Sequence, residues 1–242
     1  MPDDNSRRGM VDNVKAWFAD AAIRDAVEAA RIVAWVSLIL APTAMIIGHF
    51  GASDLVWDRN YISTFAARAP NGDWVTAAFL FSAFAMLGIG VVAGSSDGPY
   101  GKVIGNFIAM SMGAAAAGLL LLAAFKETAS NLTTLRTLGF IEIRQQSFHD
   151  AGLVIFVYGI VLALAIAGLA MLTERGGRAR IMGAVVALSG PLSYLTFIAT
   201  WPVEAGIVGI GLKQRVGFLL LWIGSMALLT LLSRLRSAEQ SG

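Results

Sequence analysis

Side chains that could bind a ligand or move a proton are crowded into residues 143–153, IRQQSFHDAGL, at the start of a long apolar run. Arg144 brings a fixed positive charge, Asp150 brings a carboxylate, and His149 brings an imidazole that titrates near neutral pH. Groups of these three kinds serve in helix capping, in ligand binding and in general acid–base catalysis.

Part of this stretch fits the start of a helix. In SFHD, Ser147 is followed three residues later by Asp150, which is the spacing of a capping box. A carboxylate in that position also suits the positive end of the helix dipole. We therefore expect Ser147 to cap the fourth apolar helix, which leaves Arg144 and His149 for another role.

His49 and His149 are the two histidines of the chain, and each stands at one end of an apolar segment. Two axial nitrogens would suffice for a haem iron, but no further haem signature accompanies them. Interfacial hydrogen bonding is the favoured interpretation, and no cofactor is expected. A catalytic zinc usually has three protein ligands, which separate loops would have to supply. Ser63, His149 and Asp58 could form a hydrolytic set, without the nucleophile elbow that marks such serines.

Basic side chains beside aromatic ones suggest an anionic lipid headgroup or a similar amphiphile. The basic residues are Arg59, Arg144, Lys213 and Arg215, and the aromatic ones are Trp57, Tyr61 and Trp201. The planar fork of arginine suits phosphate. Interfacial anchoring with salt bridges to Asp58, Asp150 and Glu204 explains the same residues equally well, so both interpretations stay open.

The elements that must position these residues are membrane-spanning helices. Of the 242 residues 57% are hydrophobic and 14% are charged, with mean hydropathy +0.69, whereas soluble domains carry about 25% charged residues. The apolar residues form six blocks long enough to cross a hydrocarbon core of about 30 Å. They are residues 32–48, 74–94, 103–125, 151–172, 181–200 and 216–232. Because alternation is absent and lipid admits only helices or closed barrels, we predict an all-α bundle of six transmembrane helices.

Lysine and arginine are concentrated in the N-terminal region, the C-terminal tail and the short turns after the second and fourth blocks. This asymmetry predicts a multi-pass protein of the cell (inner) membrane, with both termini cytoplasmic and three longer loops outside. A net charge of +2 is too small to suggest binding to nucleic acid. The absence of cysteine excludes thiolate metal sites and thiol nucleophiles.

Residues 11–31 predict an amphipathic helix before the first span. Asp20, Arg24, Glu28 and Arg31 form a charged stripe at helical spacing. We expect this helix to lie along the cytoplasmic interface, with a soluble helix docked on the loops as the alternative. The predicted division is therefore an interfacial segment (1–30), a transmembrane domain (31–236) and a cytoplasmic tail (237–242).

Small residues recur at four-residue spacing within several spans. They are Gly90 and Gly94; Ala109, Gly113 and Ala117; and Gly159, Ala163 and Ala167. Such positions let helices approach closely, and we expect them to pack the bundle of a single chain.

Three stretches resemble a bacterial and archaeal family of six-helix membrane proteins, catalogued as domain of unknown function 998. They are WDRNYISTFAARAPNGDWVTAAFLFSAFAMLGIGVVAG, FHDAGLVIFVYGI and GIGLKQRVGFLLLWIGSMALL, and the likeness covers roughly residues 30–235. The resemblance implies the fold and a membrane location, but no established reaction. It marks Arg59, Ile62, Ser63, His149, Arg215 and Trp222 as recurrent positions of the family. The loop FKETASNL departs from the family pattern of a proline and an acid.

Charged residues from three separate loops are predicted to meet on the outer side of the membrane. We therefore predict an outward-facing polar cavity that binds a lipid headgroup or a small amphiphile, lined by Asp58, Arg59, Tyr61, Arg144, His149 and Arg215. One alternative is an intramembrane lipid-modifying enzyme with His149 as general base. Another is an accessory subunit of a larger membrane complex. The expected partners are membrane lipid or other membrane subunits, and neither metal nor nucleic acid.

Overall fold

The structure is a computed structural model that describes residues 4–51, 55–95, 101–127, 140–173, 176–198 and 209–241. Within these ranges side chains are described for residues 21–51, 55–95, 101–127, 144–173, 176–197 and 209–234. This part of the chain forms seven helices and no strand. The helices are α1 (Asp4–His49), α2 (Ile62–Arg68), α3 (Gly72–Ser95), α4 (Gly101–Ala124), α5 (Phe140–Leu172), α6 (Gly177–Ile198) and α7 (Ile210–Ser241).

Six of the described helices contain a segment long and apolar enough to cross a membrane. The segments are Ala21–His49, Gly72–Ser95, Gly101–Ala124, Arg144–Leu172, Gly177–Phe197 and Ile210–Arg234. They coincide with the six predicted blocks, so the predicted all-α class and the number of spans are confirmed. The chain is a multi-pass membrane protein.

Each long helix packs mainly against the next one along the chain. α1 lies along α3, α3 along α4, α4 along α5, α5 along α6, and α6 along α7. α7 meets α1 only sparingly, and it also touches α3 and α5. The bundle is therefore a ring of helices with one loosely closed seam, between α1 and α7.

Glycines bring α4 and α5 into backbone contact. A Cβ atom added at Gly159 would lie 2.7 Å from the backbone nitrogen of Ala115, and one at Gly118 would collide with the backbone of Phe156. Gly159 therefore packs as its spacing predicts. Gly113 has open space where a side chain would be, so that position of the predicted series does not serve close packing.

The N-terminal segment is helical as predicted, but it is not a separate element. α1 runs without interruption from Asp4 to His49 and includes the first span. The Arg31 Nε donates a hydrogen bond of 2.9 Å to Glu28, and both side chains are partly exposed. Asp20 lies outside the described side chains. The amphipathic character of this segment and its interfacial position stay predictions.

The capping box predicted at Ser147 and Asp150 is wrong. α5 begins at Phe140, so Ser147 lies two turns inside the helix. There the backbone donors are already used within the helix, and a side-chain cap has nothing left to satisfy. Asp150 instead accepts a hydrogen bond of 2.8 Å from Gln146, one turn earlier.

A helix that the sequence did not predict, α2, lies between the first two spans and has seven residues. Its first five residues, Ile62 to Ala66, are all buried. The helix packs mainly on the start of α3. Two kinds of side chain on this helix matter for the site: the aromatic ring of Phe65, and the hydroxyl groups of Ser63 and Thr64.

Candidate functional site

The ends of α1 and α4 and the starts of α3, α5 and α7 meet at one end of the bundle, together with α2. We call this the polar end. One hydrogen bond there joins α2 to α7, because the Gln214 Oε1 accepts from the backbone N–H of Ile62 at 2.7 Å. Another joins the loop after α4 to the start of α3, because the Lys126 Nζ donates to Asp73 at 2.9 Å.

A cavity of ≈ 670 Å³ lies between α1, α3, α5 and α7. Its volume falls within the range of about 300–1,000 Å³ that is usual for small-ligand sites. The wall is mostly apolar. It is formed by Ala41, Pro42, Met45, Ile46, His49, Phe50, Leu55, Val56, Trp57, Ile62, Phe65, Ser82, Met86, Phe156, Ile160, Arg215, Phe218, Leu219, Leu221, Trp222 and Ser225.

The cavity follows the seam between α1 and α7. Ile46 on α1 and Leu219 on α7 belong to its wall and are also exposed on the outside of the bundle. The cavity therefore opens sideways, towards the surface that faces lipid. Its other end is closed by the buried core around Met86, Phe156 and Ile160.

Arg215 supplies the positive charge at the polar end of the cavity. Its Nη1 donates to the carbonyl oxygen of Asn60 at 3.0 Å and to that of Gly211 at 2.9 Å. Its Nη2 lies 2.6 Å from the Nε2 of His49. The guanidinium carbon stands 5.1 Å from the centre of the Phe65 ring, which is a cation–π contact. The charge is thus held by neutral groups.

The hydrogen bonds of His49 define its tautomer. Its Nδ1 lies 2.6 Å from the carbonyl oxygen of Met45, an atom that can only accept. Nδ1 therefore carries the hydrogen, and Nε2 accepts from Arg215. Since Nε2 is occupied in this way, His49 is not arranged to ligate a haem iron.

Among the residues that the structure describes, no carboxylate forms an ion pair with Arg215. Asp58 is near enough for its charge to act on the guanidinium, and its backbone oxygen accepts from the N–H of Gly211 at 2.9 Å. A half-buried cation held by carbonyl oxygens and an imidazole is incompletely compensated. An anion in the cavity would compensate the remaining charge of Arg215.

A second polar cluster lies on the other side of α2. The Oε2 of Glu127 accepts a hydrogen bond from Ser63 at 3.0 Å and one from Thr64 at 2.7 Å. The Nδ1 of His149 donates to the carbonyl oxygen of Phe125 at 2.7 Å, and the imidazole is 4% exposed. These bonds tie the loop after α4 to both α2 and α5.

Glu127 is in an environment that disfavours its charge. Burial raises the pKa of its carboxyl, while the hydroxyl of Thr64, the charge of His149, the hydroxyl of Ser63 and the charge of Arg68 oppose the rise. Burial also raises the pKa of the neighbouring Tyr61, with a further contribution from the charge of Glu127. The Ser63 hydroxyl donates its one hydrogen to Glu127. It is therefore not arranged as a nucleophile that would give its proton to His149 as the base.

The structure brings all six predicted site residues to the polar end and separates them there. Of the six, Arg215 lines the cavity. Tyr61 and His149 belong to the cluster around Glu127. Arg59 and Arg144 are exposed, and the Arg144 guanidinium stands 6.0 Å from the Phe148 ring.

The positions of the other basic, aromatic and acidic candidates are as follows. Lys213 is exposed, and the exposed Trp57 belongs to the cavity wall. Trp201 and Glu204 lie outside the described residues. No group of three or more metal-ligating side chains occurs within the described ranges.

Sequence reasoning missed Glu127 and Phe65, which organise the two clusters. Glu127 appears in the sequence as one charge in the loop FKETASNL, and nothing nearby marks it as buried. Phe65 stands in a stretch predicted to be a loop, yet its ring lies 4.2 Å from that of His49. A two-turn amphipathic pattern in residues 62–68 was the one available signal.

No curated protein matches the chain, and no solved structure matches it either. The family described as "Protein of unknown function (DUF998)" matches residues 33–231, a range that holds both polar clusters and all six spans except the start of the first and the last three residues of the sixth. By this match the chain belongs to the DUF998 family of membrane proteins.

Proposed function

We propose that this protein binds a single-chain anionic amphiphile, with its apolar chain in the cavity between α1 and α7 and its charged head at Arg215. The observation that carries the proposal is the position of Arg215 at one end of a mostly apolar cavity. A head with phosphate, sulfonate or carboxylate oxygens fits the guanidinium fork.

The surroundings of Arg215 favour an anionic ligand over a neutral one. The nearest polar groups are backbone oxygens and the His49 imidazole, so a bound anion adds a charge in direct contact with Arg215, which the more distant Asp58 does not supply. A cationic head would meet the guanidinium charge directly. The expected selectivity is therefore anionic over neutral over cationic heads.

Of the six residues predicted to line a polar cavity, we propose that Arg215 binds the charged head. The histidine beside the head is then His49 and not His149. We propose that Asp58 and Arg59 contribute through the field they create at the cavity mouth. The protein acts as a binding or regulatory component of the membrane. A lipid headgroup and a free fatty acid share the required chemistry, an anionic head on an apolar chain, and the probe series tests that chemistry.

The head is tested with three amphiphiles of one chain length: an alkyl sulfonate, an alkyl glycerol and an alkyl trimethylammonium. Binding to protein in phosphatidylcholine nanodiscs is followed by native mass spectrometry and by tryptophan fluorescence, since Trp57 and Trp222 line the cavity. Arg215→Gln is expected to weaken sulfonate binding by about tenfold to about a hundredfold, the equivalent of about 1.5–3 kcal/mol.

Arg144→Gln is the matched control, because it removes the same charge at the polar end from an exposed position outside the cavity wall. It is expected to leave sulfonate binding unchanged. Equal binding of the three amphiphiles, or equal effects of the two variants, would refute the proposal.

The proposed position of the ligand's apolar chain is tested by filling the cavity. Ala41 is buried and belongs to the wall, so Ala41→Leu places extra carbon atoms in the space meant for the ligand. Binding of all chain lengths is expected to fall while Arg215 keeps its hydrogen bonds. Unchanged binding in this variant would place the ligand elsewhere.

A further inference from the structure

α2 separates the cavity from the cluster around Glu127, and it contributes to both. Ile62 and Phe65 belong to the cavity wall. Ser63 and Thr64, between them in the sequence, donate their hydroxyl hydrogens to Glu127. A charge at Glu127 and a charge at Arg215 therefore face each other across one short helix.

Glu127 and His149 belong to one polar cluster. Both hydroxyl bonds go to the Oε2 of Glu127, so a hydrogen on this carboxyl is expected on Oε1. The Nδ1 of His149 is already a donor to Phe125, so an added proton on the imidazole must sit on Nε2. The charge of His149 is near enough to act on Glu127.

The other charged and titratable groups around Glu127 do not take over this role. α2 contributes Tyr61 and Arg68, whose charges act on Glu127 or respond to it. The neighbouring Lys126 is paired with Asp73 of α3 at 2.9 Å. On α5, Asp150 lies near His149 and is bonded to Gln146.

We propose that Glu127 and His149 form a proton-binding pair, and that an anion bound at Arg215 raises the affinity of this pair for a proton from solvent. The inference rests on the proposed function, since it concerns the regulation of the same cavity. With the proton, the pair is neutral overall, either as two neutral groups or as carboxylate and imidazolium. Without it, the pair carries one negative charge.

The coupling is electrostatic. A helix is about 10 Å across, so an anion at Arg215 and a negative charge at the pair would repel each other through a poorly solvated layer. At an effective dielectric constant of about 20 this repulsion corresponds to roughly a tenfold change in affinity. Linkage requires the reverse effect as well, so that ligand binding raises the proton affinity of the pair by the same factor.

The test is the number of protons taken up on binding. The probe is an alkyl sulfonate, whose head keeps a single negative charge between about pH 5 and about pH 8 and adds no proton of its own. Calorimetric titration of protein in phosphatidylcholine nanodiscs, repeated in buffers of different ionisation enthalpy, gives the proton count. We expect uptake that peaks at about half a proton where the pair titrates, because a tenfold coupling allows no more, and affinity that falls by about tenfold as the pH rises.

Glu127→Gln is expected to bind the sulfonate without proton uptake and without the pH dependence. His149→Gln, an independent variant, is expected to lose most of the uptake. The control is Asp73→Asn, which removes a carboxylate that is 94% exposed at the same end of the bundle. It should keep the wild-type uptake.

The outcomes separate the two proposals. Sulfonate binding without uptake in the wild type, or with undiminished uptake in Glu127→Gln, overturns the proton-binding pair and leaves the proposed function intact. Undiminished uptake in both Glu127→Gln and His149→Gln would assign the proton to His49, whose imidazole contacts Arg215. Absence of binding to the wild type overturns both.

Discussion

Arg215 and His49 stand 166 positions apart in the chain, yet Nη2 of the one lies 2.6 Å from Nε2 of the other. This hydrogen bond joins α7 to α1 at the polar end, although the two helices otherwise meet only sparingly. The ring of Phe65 on α2 lies against both side chains. The seam between α1 and α7 is thus fastened at one end and left open along the cavity.

Arg215→Lys is expected to destabilise the protein although the charge is kept. A lysine ammonium lacks the planar fork and cannot reach Asn60, Gly211 and His49 together. The loss of hydrogen bonds made by a charged group corresponds to about 1.5–3 kcal/mol. Thermal unfolding in nanodiscs measures the effect. A melting temperature equal to that of the wild type would mean that the fork is not needed.

Gly118→Ala and Gly113→Ala form a matched pair on α4. The added Cβ collides with the backbone of Phe156 in the first variant and meets nothing within 4 Å in the second. Because backbone cannot move aside cheaply, we expect Gly118→Ala to cost about 1–3 kcal/mol. Gly113→Ala is expected to be neutral or to stabilise by up to about 1 kcal/mol. Unfolding in mixed detergent micelles compares the two, and equal effects would contradict the close approach of α4 and α5.

Glu127→Gln is expected to change how stability depends on pH. The pKa of Glu127 is raised in the folded state by burial, so its favourable contribution is present at pH below the ordinary value of the group. It is lost as the pH rises through the raised pKa. The wild type should therefore lose stability over that interval, whereas Glu127→Gln should not and should melt higher at neutral pH.

Melting curves of both proteins from acid to neutral pH check this expectation. Asp73→Asn is the control, since the Asp73 carboxylate is exposed and paired with Lys126. Parallel curves for the wild type and Glu127→Gln would show that the buried carboxyl does not titrate in this range.

The predicted orientation can be tested without background, because the chain contains no cysteine. Pro70→Cys places a thiol at an exposed position of the polar end, and Arg178→Cys places one at the opposite end of the bundle. With cytoplasmic termini, a membrane-impermeant maleimide should label the first variant in intact cells and the second only after lysis. The reverse pattern would invert the predicted topology.

The six spans were predictable because the signal is local and strong. A run of about twenty apolar residues specifies a membrane helix wherever its neighbours lie. The start of α5 was mispredicted because Ser147 and Asp150 have the spacing of a capping box. This stretch is instead a polar part of the helix, in which Gln145 and His149 bond to the carbonyl oxygens of Lys126 and Phe125.

The site was predictable only in its location. Successive spans cross the membrane in opposite directions, so the ends of odd-numbered spans and the starts of even-numbered spans lie on the same side. His49 ends the first span and Arg215 stands near the start of the sixth, so their grouping at one end follows from the number of spans. The separation into two clusters does not. It depends on α2, whose seven residues are too short to give a clear periodic signal, and on which helix pair is left loosely packed.

The sideways opening between α1 and α7 sets the thermodynamics of any amphiphile that enters from the bilayer. Its tail leaves liquid hydrocarbon for a wall of aliphatic and aromatic side chains, so the transfer removes almost no apolar surface from water and the hydrophobic effect contributes little. Tail length should then scarcely alter affinity, provided that the tail fits. Occupancy of the cavity should follow the mole fraction of the amphiphile in the membrane. Selectivity between amphiphiles should then depend on the contacts that the head makes within a few ångströms of the guanidinium.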